Sequence, residues 1–226
     1  MSLLLAVEST SGRYSVAVGQ GDSVVMHAET GRDEPGFAGL GQLAGSALAA
    51  AGASVPDVDQ LAVDIGPGNL SSVRAAVAYV NGLAFSLGIT AFCANSLELL
   101  AAGYQQAGSL PVLCMRKASG GNAYLGLYQG MEPVRLTFGP LESSVIALCR
   151  HVPALAVAGG PADVVAKYLP ESQVEGSCVD HPSVDILYQM ARTYSGTADR
   201  IVGMAHPLNE GSPIFHEQSG SDHTEG

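Results

Sequence analysis

Residues 64–74 read Asp64-Ile65-Gly66-Pro67-Gly68-Asn69-Leu70-Ser71-Ser72-Val73-Arg74, between an apolar run at 60–65 and a long apolar run, Leu70–Leu87. Glycine at 66 and 68 opens backbone conformations closed to other residues, and Pro67 fixes one dihedral between them. The pattern predicts a strand, a tight turn and a helix start. The unpaired N–H groups at such a start suit an anion or a partner's carbonyls equally well.

Upstream, the apolar run Leu3–Glu8 predicts a buried strand ending in a carboxylate. Ser9-Thr10-Ser11-Gly12 is turn chemistry, and strands follow near 14–18 and 24–26. Phe37, Leu40, Leu43, Ala47, Leu48 and Ala51 recur at helical spacing, with Gly39, Gly41, Gly45, Ser46 and Ala49 between them. Interior glycines cost a helix about 0.5–1 kcal/mol each against alanine, so this 37–51 helix needs an offset such as close helix–helix approach. The 70–87 helix is apolar or small on nearly every side: Val73, Val77, Val80, Ala84 and Leu87 form one stripe, and Ala75, Ala76, Tyr79, Leu83 and Phe85 cover much of the rest. That predicts two covered faces, one on the sheet and one on a second helix or another subunit. A strand at 89–94 and a helix capped at Ser96 complete a strand, strand, strand, helix, strand, helix, strand, helix order.

The order then begins again. Displaced by 109 residues, Gly12 falls on Gly121, 15–18 on 124–127, and Gln20-Gly21 on Gln129-Gly130. Two similar α/β halves are expected, 1–108 and a smaller, degenerate 109–215, followed by a polar tail at 216–226. In the second half the patterns predict strands at 111–115, 124–128, 133–137 and 154–158, and helices at 141–150, 162–169 and 184–194.

Composition narrows function. In 226 residues, 10 Lys+Arg against 21 Asp+Glu give a net charge of −11, the wrong sign for a protein that itself grips phosphate backbones. The four cysteines are dispersed with no Cys-x-x-Cys, which predicts reduced thiols and no zinc knuckle. No secretory signal is apparent, and no apolar run reaches the roughly 20 residues that cross a bilayer, so a cytoplasmic protein is expected. No two of the six histidines stand at i, i+3 or i+4, and there is no Gly-x-Ser-x-Gly elbow. Neither a metal site nor a catalytic residue is therefore assigned.

Two turns could hold a nucleotide. Glu8 with Thr10, Ser11 and Gly12 reads either as a phosphate-cradling turn with an acid for magnesium or as a plain hairpin tip. Gly159 and Gly160 could let a flat base approach the backbone, or could simply join a strand to a helix. Arg116 and Lys117 read either as an anion contact or as solvated surface.

Leu4-Leu5-Ala6-Val7-Glu8-Ser9-Thr10, the 64–74 stretch and the closing residues 207–215 resemble the TsaB (YeaZ) family of tRNA threonylcarbamoyladenosine biosynthesis. The resemblance implies an actin-like ATPase fold of two ribonuclease-H-like halves. It further implies a non-catalytic scaffold that pairs with the larger catalytic paralogue and a small ATPase subunit, forms a homodimer in isolation, and meets tRNA only through partners. The pairing surface would lie on the first two helices, with Phe37, Leu40, Gly45, Leu48, Leu70, Arg74, Val77 and Tyr79 on it. ATP or ADP with magnesium at the complex interface is the cofactor left open, and an actin-like nucleotide-binding protein or weak ATPase is the alternative function. The sequence departs from the family pattern. Glu8 replaces an aspartate, Asn69-Leu70-Ser71-Ser72 replaces Ser-aromatic-Thr-Gly, and Glu34-Pro35-Gly36-Phe37 stands where a His-Ser-Glu-like segment is usual. Lys117-Ala118-Ser119 and Asn122-Ala123-Tyr124 replace Asp-Ala-Arg and Glu-Val-Tyr, which removes carboxylates. Arg74 then reads as an interface or turn-bracing residue.

Overall fold

A computed structural model describes residues 2–31, 33–36, 38–194 and 200–216. Its first sheet grows from β1 (Leu3–Glu8), β2 (Arg13–Gln20) and β3 (Ser23–Gly31), an antiparallel meander. On the other side of β1, β4 (Gln60–Asp64) and then β5 (Ala91–Ala94) pair in parallel, and β11 (Ile201–Val202) closes the edge antiparallel to β5. The second sheet has the order β10-β9-β6-β7-β8, from β6 (Val112–Lys117), β7 (Asn122–Gln129), β8 (Glu132–Pro140), β9 (Ala154–Ala158) and β10 (Gln173–Gly176).

Stripped of β11, the first sheet runs β3-β2-β1-β4-β5 and the second β8-β7-β6-β9-β10, the same five-strand order. Leu3, Arg13 and Ser23 begin strands in the first half, and Val112, Asn122 and Glu132, each 109 residues later, begin the matching strands of the second. Even the local twist is duplicated. The β2–β3 register shifts between Val18 and Gly19, and the β7–β8 register between Leu127 and Tyr128, the same positions after the 109-residue displacement. The protein is thus an actin-like ATPase fold of two ribonuclease-H-like βββαβαβα halves.

The helices of the first half are α1 (Leu40–Ala50), α2 (Leu70–Leu87) and α3 (Ser96–Gln105). Those of the second are α4 (Leu141–Cys149), α5 (Ala162–Tyr168) and α6 (Val184–Thr193). Compact units do not follow the halves. One unit comprises residues 1–99 with 182–207, and the other 100–181 with 208–226, where the sequence placed a boundary at 108/109. The difference has a physical cause in α6. Its apolar side packs on β1, β2, β4 and β5, and the buried Tyr188 hydroxyl reaches the carbonyls of Gly21 at 2.8 Å and Ser23 at 3.2 Å. The strand β10, unread in the sequence, is short, with Val174 as its single apolar side chain.

Helix α1 begins at Leu40, later than the expected 37. Gly36 (φ 91°) and Gly39 (φ 120°) adopt left-handed-side conformations that end any helix running back through them. Its buried residues Leu40, Ala44, Ala47 and Leu48, with Val73, Ala76, Val77, Val80 and Ala84 of α2, join Leu5, Val7, Val16 and Val63 in the core of the first unit. Among the described residues α2 is long and apolar enough to cross a bilayer, contrary to expectation, but its inner stripe is packed into this core. A separate core in the second unit gathers Leu113, Met115, Leu125, Val145, Val157 and Val165.

Two outcomes check this packing. Tyr188→Phe leaves the Gly21 and Ser23 carbonyls without their donor, and chemical denaturation should show a loss of about 1–2 kcal/mol. Burial raises the Cys93 thiol to about 11 and Cys149 to about 12, and pushes Cys114 up as well, while Cys178 is exposed. Ellman titration of the native protein should therefore find one fast thiol, with all four appearing on denaturation.

Candidate functional site

The 64–74 stretch forms a turn whose chemistry is directed inward. Asp64 is fully buried at the end of β4, and its carboxylate accepts the Gly66 N–H at 2.8 Å and the Ser96 hydroxyl at 2.9 Å. Ser96 at the start of α3 also donates its backbone N–H to the Gly66 carbonyl at 2.8 Å. The turn lies directly on the Glu8–Gly12 turn of the same unit. A β-carbon at Gly68 would stand 2.5 Å from Thr10 Cβ and 2.6 Å from its carbonyl oxygen, so only glycine fits. Asn69 donates its N–H to the Thr10 carbonyl at 2.9 Å, and its side chain caps α2 by accepting the Ser72 N–H at 3.2 Å. The Ser9 hydroxyl donates to the Ser72 carbonyl at 3.0 Å.

Glu8 and Thr10, two of the residues expected to cradle a phosphate, are engaged within the fold, and so is Ser9 between them. Glu8, Ser9 and Thr10 are each no more than 2% exposed. The Glu8 carboxylate accepts both the N–H, at 2.6 Å, and the hydroxyl, at 2.5 Å, of Thr10 two residues on. Ser11 and Gly12 stay partly open at the tip, with Gly12 at φ 88°. In the second unit Gly159 and Gly160 serve close packing: a β-carbon at 159 would meet the Met115 carbonyl at 2.5 Å, and one at 160 would overlap the Met115 side chain. Lys117 lies exposed at the end of β6, and Arg116 beside it is buried.

The outward face of α1 and α2 is different in character. Gly41, Ala49, Leu70, Ser71, Arg74, Ala75, Ala78, Gly82 and Phe85 are exposed, and Gly45 and Tyr79 partly so. The two helices touch where the Tyr79 ring lies 3.6 Å from the β-carbon position of Gly41. Phe85 is 91% exposed, the most open large apolar side chain among the described residues. At the start of α1 a cavity of about 240 Å³ is lined by Thr30, Pro35, Gly39, Gln42 and Leu43.

Three of the expected interface residues need correction. Leu40, Leu48 and Val77 point into the core of their own unit and are at most 8% exposed, so they fix the helices rather than face a partner. Phe37 lies outside the described residues. Gly45, Leu70, Arg74 and Tyr79 do share the outer side, and Gly41, Ala75, Ala78, Gly82 and Phe85 join them. The signal for these was present in the spacing of small residues at 71, 75, 78 and 82, which mark a helical side opposite the Val73–Val77–Val80–Ala84 stripe. Nothing local in the sequence marks Asn81. Its side chain accepts the Ala205 N–H at 2.8 Å and donates to the Ala205 carbonyl at 3.0 Å, pinning the returning chain to α2 within the first unit.

Arg74 is the one charged side chain that α1 and α2 carry. Arg13 pairs with Glu29 and Glu34. Burial pushes the Glu29 carboxyl up, but hydrogen bonds from Arg13 and Ser15 outweigh it and hold the group below the usual range. Among the described residues there is no cluster of three or more metal-ligating side chains.

Comparison with known proteins matches residues 38–172 to the family described as TsaD, tRNA N6-adenosine threonylcarbamoyltransferase. The enzyme of that name from Desulfovibrio desulfuricans is 36% identical over 130 residues, covering 54% of this chain and 35% of the relative. That from Porphyromonas gingivalis is 27% identical over 184 residues, covering 70% of this chain and 54% of the relative. The chain therefore spans between about a third and about half of the length of these curated relatives. Among solved structures, a Pseudomonas aeruginosa protein described as similar to peptidase YEAZ superposes with a TM-score of 0.71 at 24% identity, over 92% of this chain and 99% of that one. YeaZ from Pseudomonas aeruginosa superposes with a TM-score of 0.63 at 24% identity, over 84% and 90%. With more than half of its length matched, the chain belongs to the tRNA N6-adenosine threonylcarbamoyltransferase (TsaD) family, and it carries the two-half fold of YeaZ proteins.

Proposed function

We propose that this chain is a non-catalytic scaffold subunit in threonylcarbamoyladenosine modification of tRNA, and that it docks a catalytic paralogue through the outer side of α1 and α2. The observation that carries the reading is the contrast between two surfaces of the first unit. The α1–α2 side is open, nearly uncharged and built from small residues, with Phe85 projecting. The turn that would hold a phosphate is closed on itself. Small side chains let helices of another subunit approach to about 8 Å, where dispersion contacts are dense. In isolation the same side serves for homodimer formation. A small ATPase joins as a further subunit, tRNA is met through the partners, and the assembly is cytoplasmic.

Nucleotide binding is the competing reading, with ATP or ADP and magnesium at the complex interface and Glu8, Thr10, Ser11 and Gly12 as its contacts. The engagement of the Glu8 carboxylate by Thr10 favours the scaffold.

A β-carbon at Gly45 would meet nothing within 4 Å, so Gly45→Arg is accommodated by the fold while placing a charge on the docking side. Gly45→Arg and Tyr79→Arg should each abolish co-elution with the threonylcarbamoyltransferase of the same organism and leave the far-ultraviolet circular dichroism unchanged. Co-elution retained by both variants would contradict the assignment. Calorimetric titration of the chain alone with ATP and magnesium should show no saturable heat below about 1 mM, or about −4 kcal/mol. A tighter isotherm abolished by Glu8→Ala would favour the nucleotide reading.

A further inference from the structure

Arg74 is the single charged residue in the 29 positions of α1 and α2, and neither helix contains an aspartate or glutamate. It is exposed on the second turn of α2, between the small side chains of Ser71, Ala75 and Ala78. The other described cations of the first unit are all engaged: Arg13 by Glu29 and Glu34, Arg192 by Ser2 and Gln60, and Arg200 by Glu98. Among the described residues Arg74 makes no hydrogen bond or ion pair within the chain. A cation standing alone on an otherwise neutral docking side has a consequence when that side is covered. Its hydration is lost, and the loss is recovered only if the covering surface supplies an acceptor of opposite charge.

We infer that Arg74 is the specificity-determining charge of the α1–α2 side, and that the partner seated there presents a carboxylate to it. This rests on the docking reading above. A second copy of the chain fits less well for two reasons. In a two-fold dimer the same side meets itself, so each Arg74 faces helices that contain no acid. Each copy also carries a net charge of −11, which adds general repulsion. A different chain with a carboxylate opposite Arg74 gains a charge-assisted and geometrically demanding hydrogen bond, and it is selected over the self-pair by that bond.

The test compares wild type, Arg74→Lys, Arg74→Met and Arg74→Glu. Binding to the purified threonylcarbamoyltransferase of the same organism is measured calorimetrically at 50 and 500 mM NaCl, and self-association by sedimentation. Arg135→Glu, on the exposed strand β8 of the second unit, serves as the charge control. Arg74→Met and Arg74→Glu should weaken binding to the transferase by at least about tenfold at 50 mM NaCl, with a smaller difference from wild type at 500 mM. Arg74→Lys should recover most of the affinity, Arg135→Glu should change nothing, and self-association of Arg74→Met should be equal to or tighter than wild type. Affinity for the transferase within about twofold of wild type in Arg74→Met and Arg74→Glu would overturn the inference. Parallel loss of self-association and transferase binding would overturn it as well. Gly45→Arg separates the two levels: if it blocks binding while Arg74→Glu does not, docking stands and the charge assignment fails, and if wild type does not bind the transferase, both fail.

Discussion

The first unit depends on one close approach, that of Gly68 to Thr10. A β-carbon at residue 68 would lie 2.5 Å from the Thr10 side chain, so the absence of a side chain lets the end of β4 and the start of α2 lie flat on the turn after β1. The remaining bonds of the region follow from that contact. Asn69 reaches the Thr10 carbonyl, Ser9 reaches Ser72, and Asp64 with Ser96 secures the far side of the turn. Each bond gives a partner to a polar group of a buried residue, Thr10, Ser9 or Asp64, which is what a turn packed on a core requires. The result is a rigid launch point for α2.

That launch point gives α2 two sides with different fates. The Val73–Val77–Val80–Ala84 stripe fills the core, and the side bearing Arg74, Ala75, Ala78, Gly82 and Phe85 is left open. In the same helix Asn81 holds Ala205 by both backbone groups. A helix fixed at its start by a turn, along one side by a core and at its middle by a two-bond clasp presents its free side with little conformational freedom to lose on binding.

Much of this was legible in the sequence. Strands read near 3–8, 14–18 and 24–26 and near 111–115, 124–128 and 133–137 follow from turn residues and apolar alternation and lie within one or two residues of the observed starts, and the 109-residue displacement held down to a shared shift in strand register. The sides of the helices were less legible. Leu40, Leu48 and Val77 read as interface residues because apolar side chains suit a core and a docking surface equally, and only packing tells them apart. Glu8 could be read as a phosphate-site acid because nothing in the chain order says that its carboxylate folds back on Thr10. Gly159 and Gly160 looked open for the same reason, since Met115, which fills the space beside them, lies more than 40 residues away in sequence. The return of α6 to the first unit depends on a tyrosine hydroxyl reaching a hairpin more than 160 residues earlier, a separation no local pattern encodes.

The central claim is that α1 and α2 are the surface by which this chain works. Hydrogen–deuterium exchange of the full chain, alone and saturated with the threonylcarbamoyltransferase of the same organism, tests it most directly. The account predicts new protection concentrated in Leu40–Ala50 and Leu70–Leu87, with exchange in the edge strand Glu132–Pro140 unchanged. Protection centred on that edge strand, or none on the two helices under conditions where the complex is formed, would contradict it.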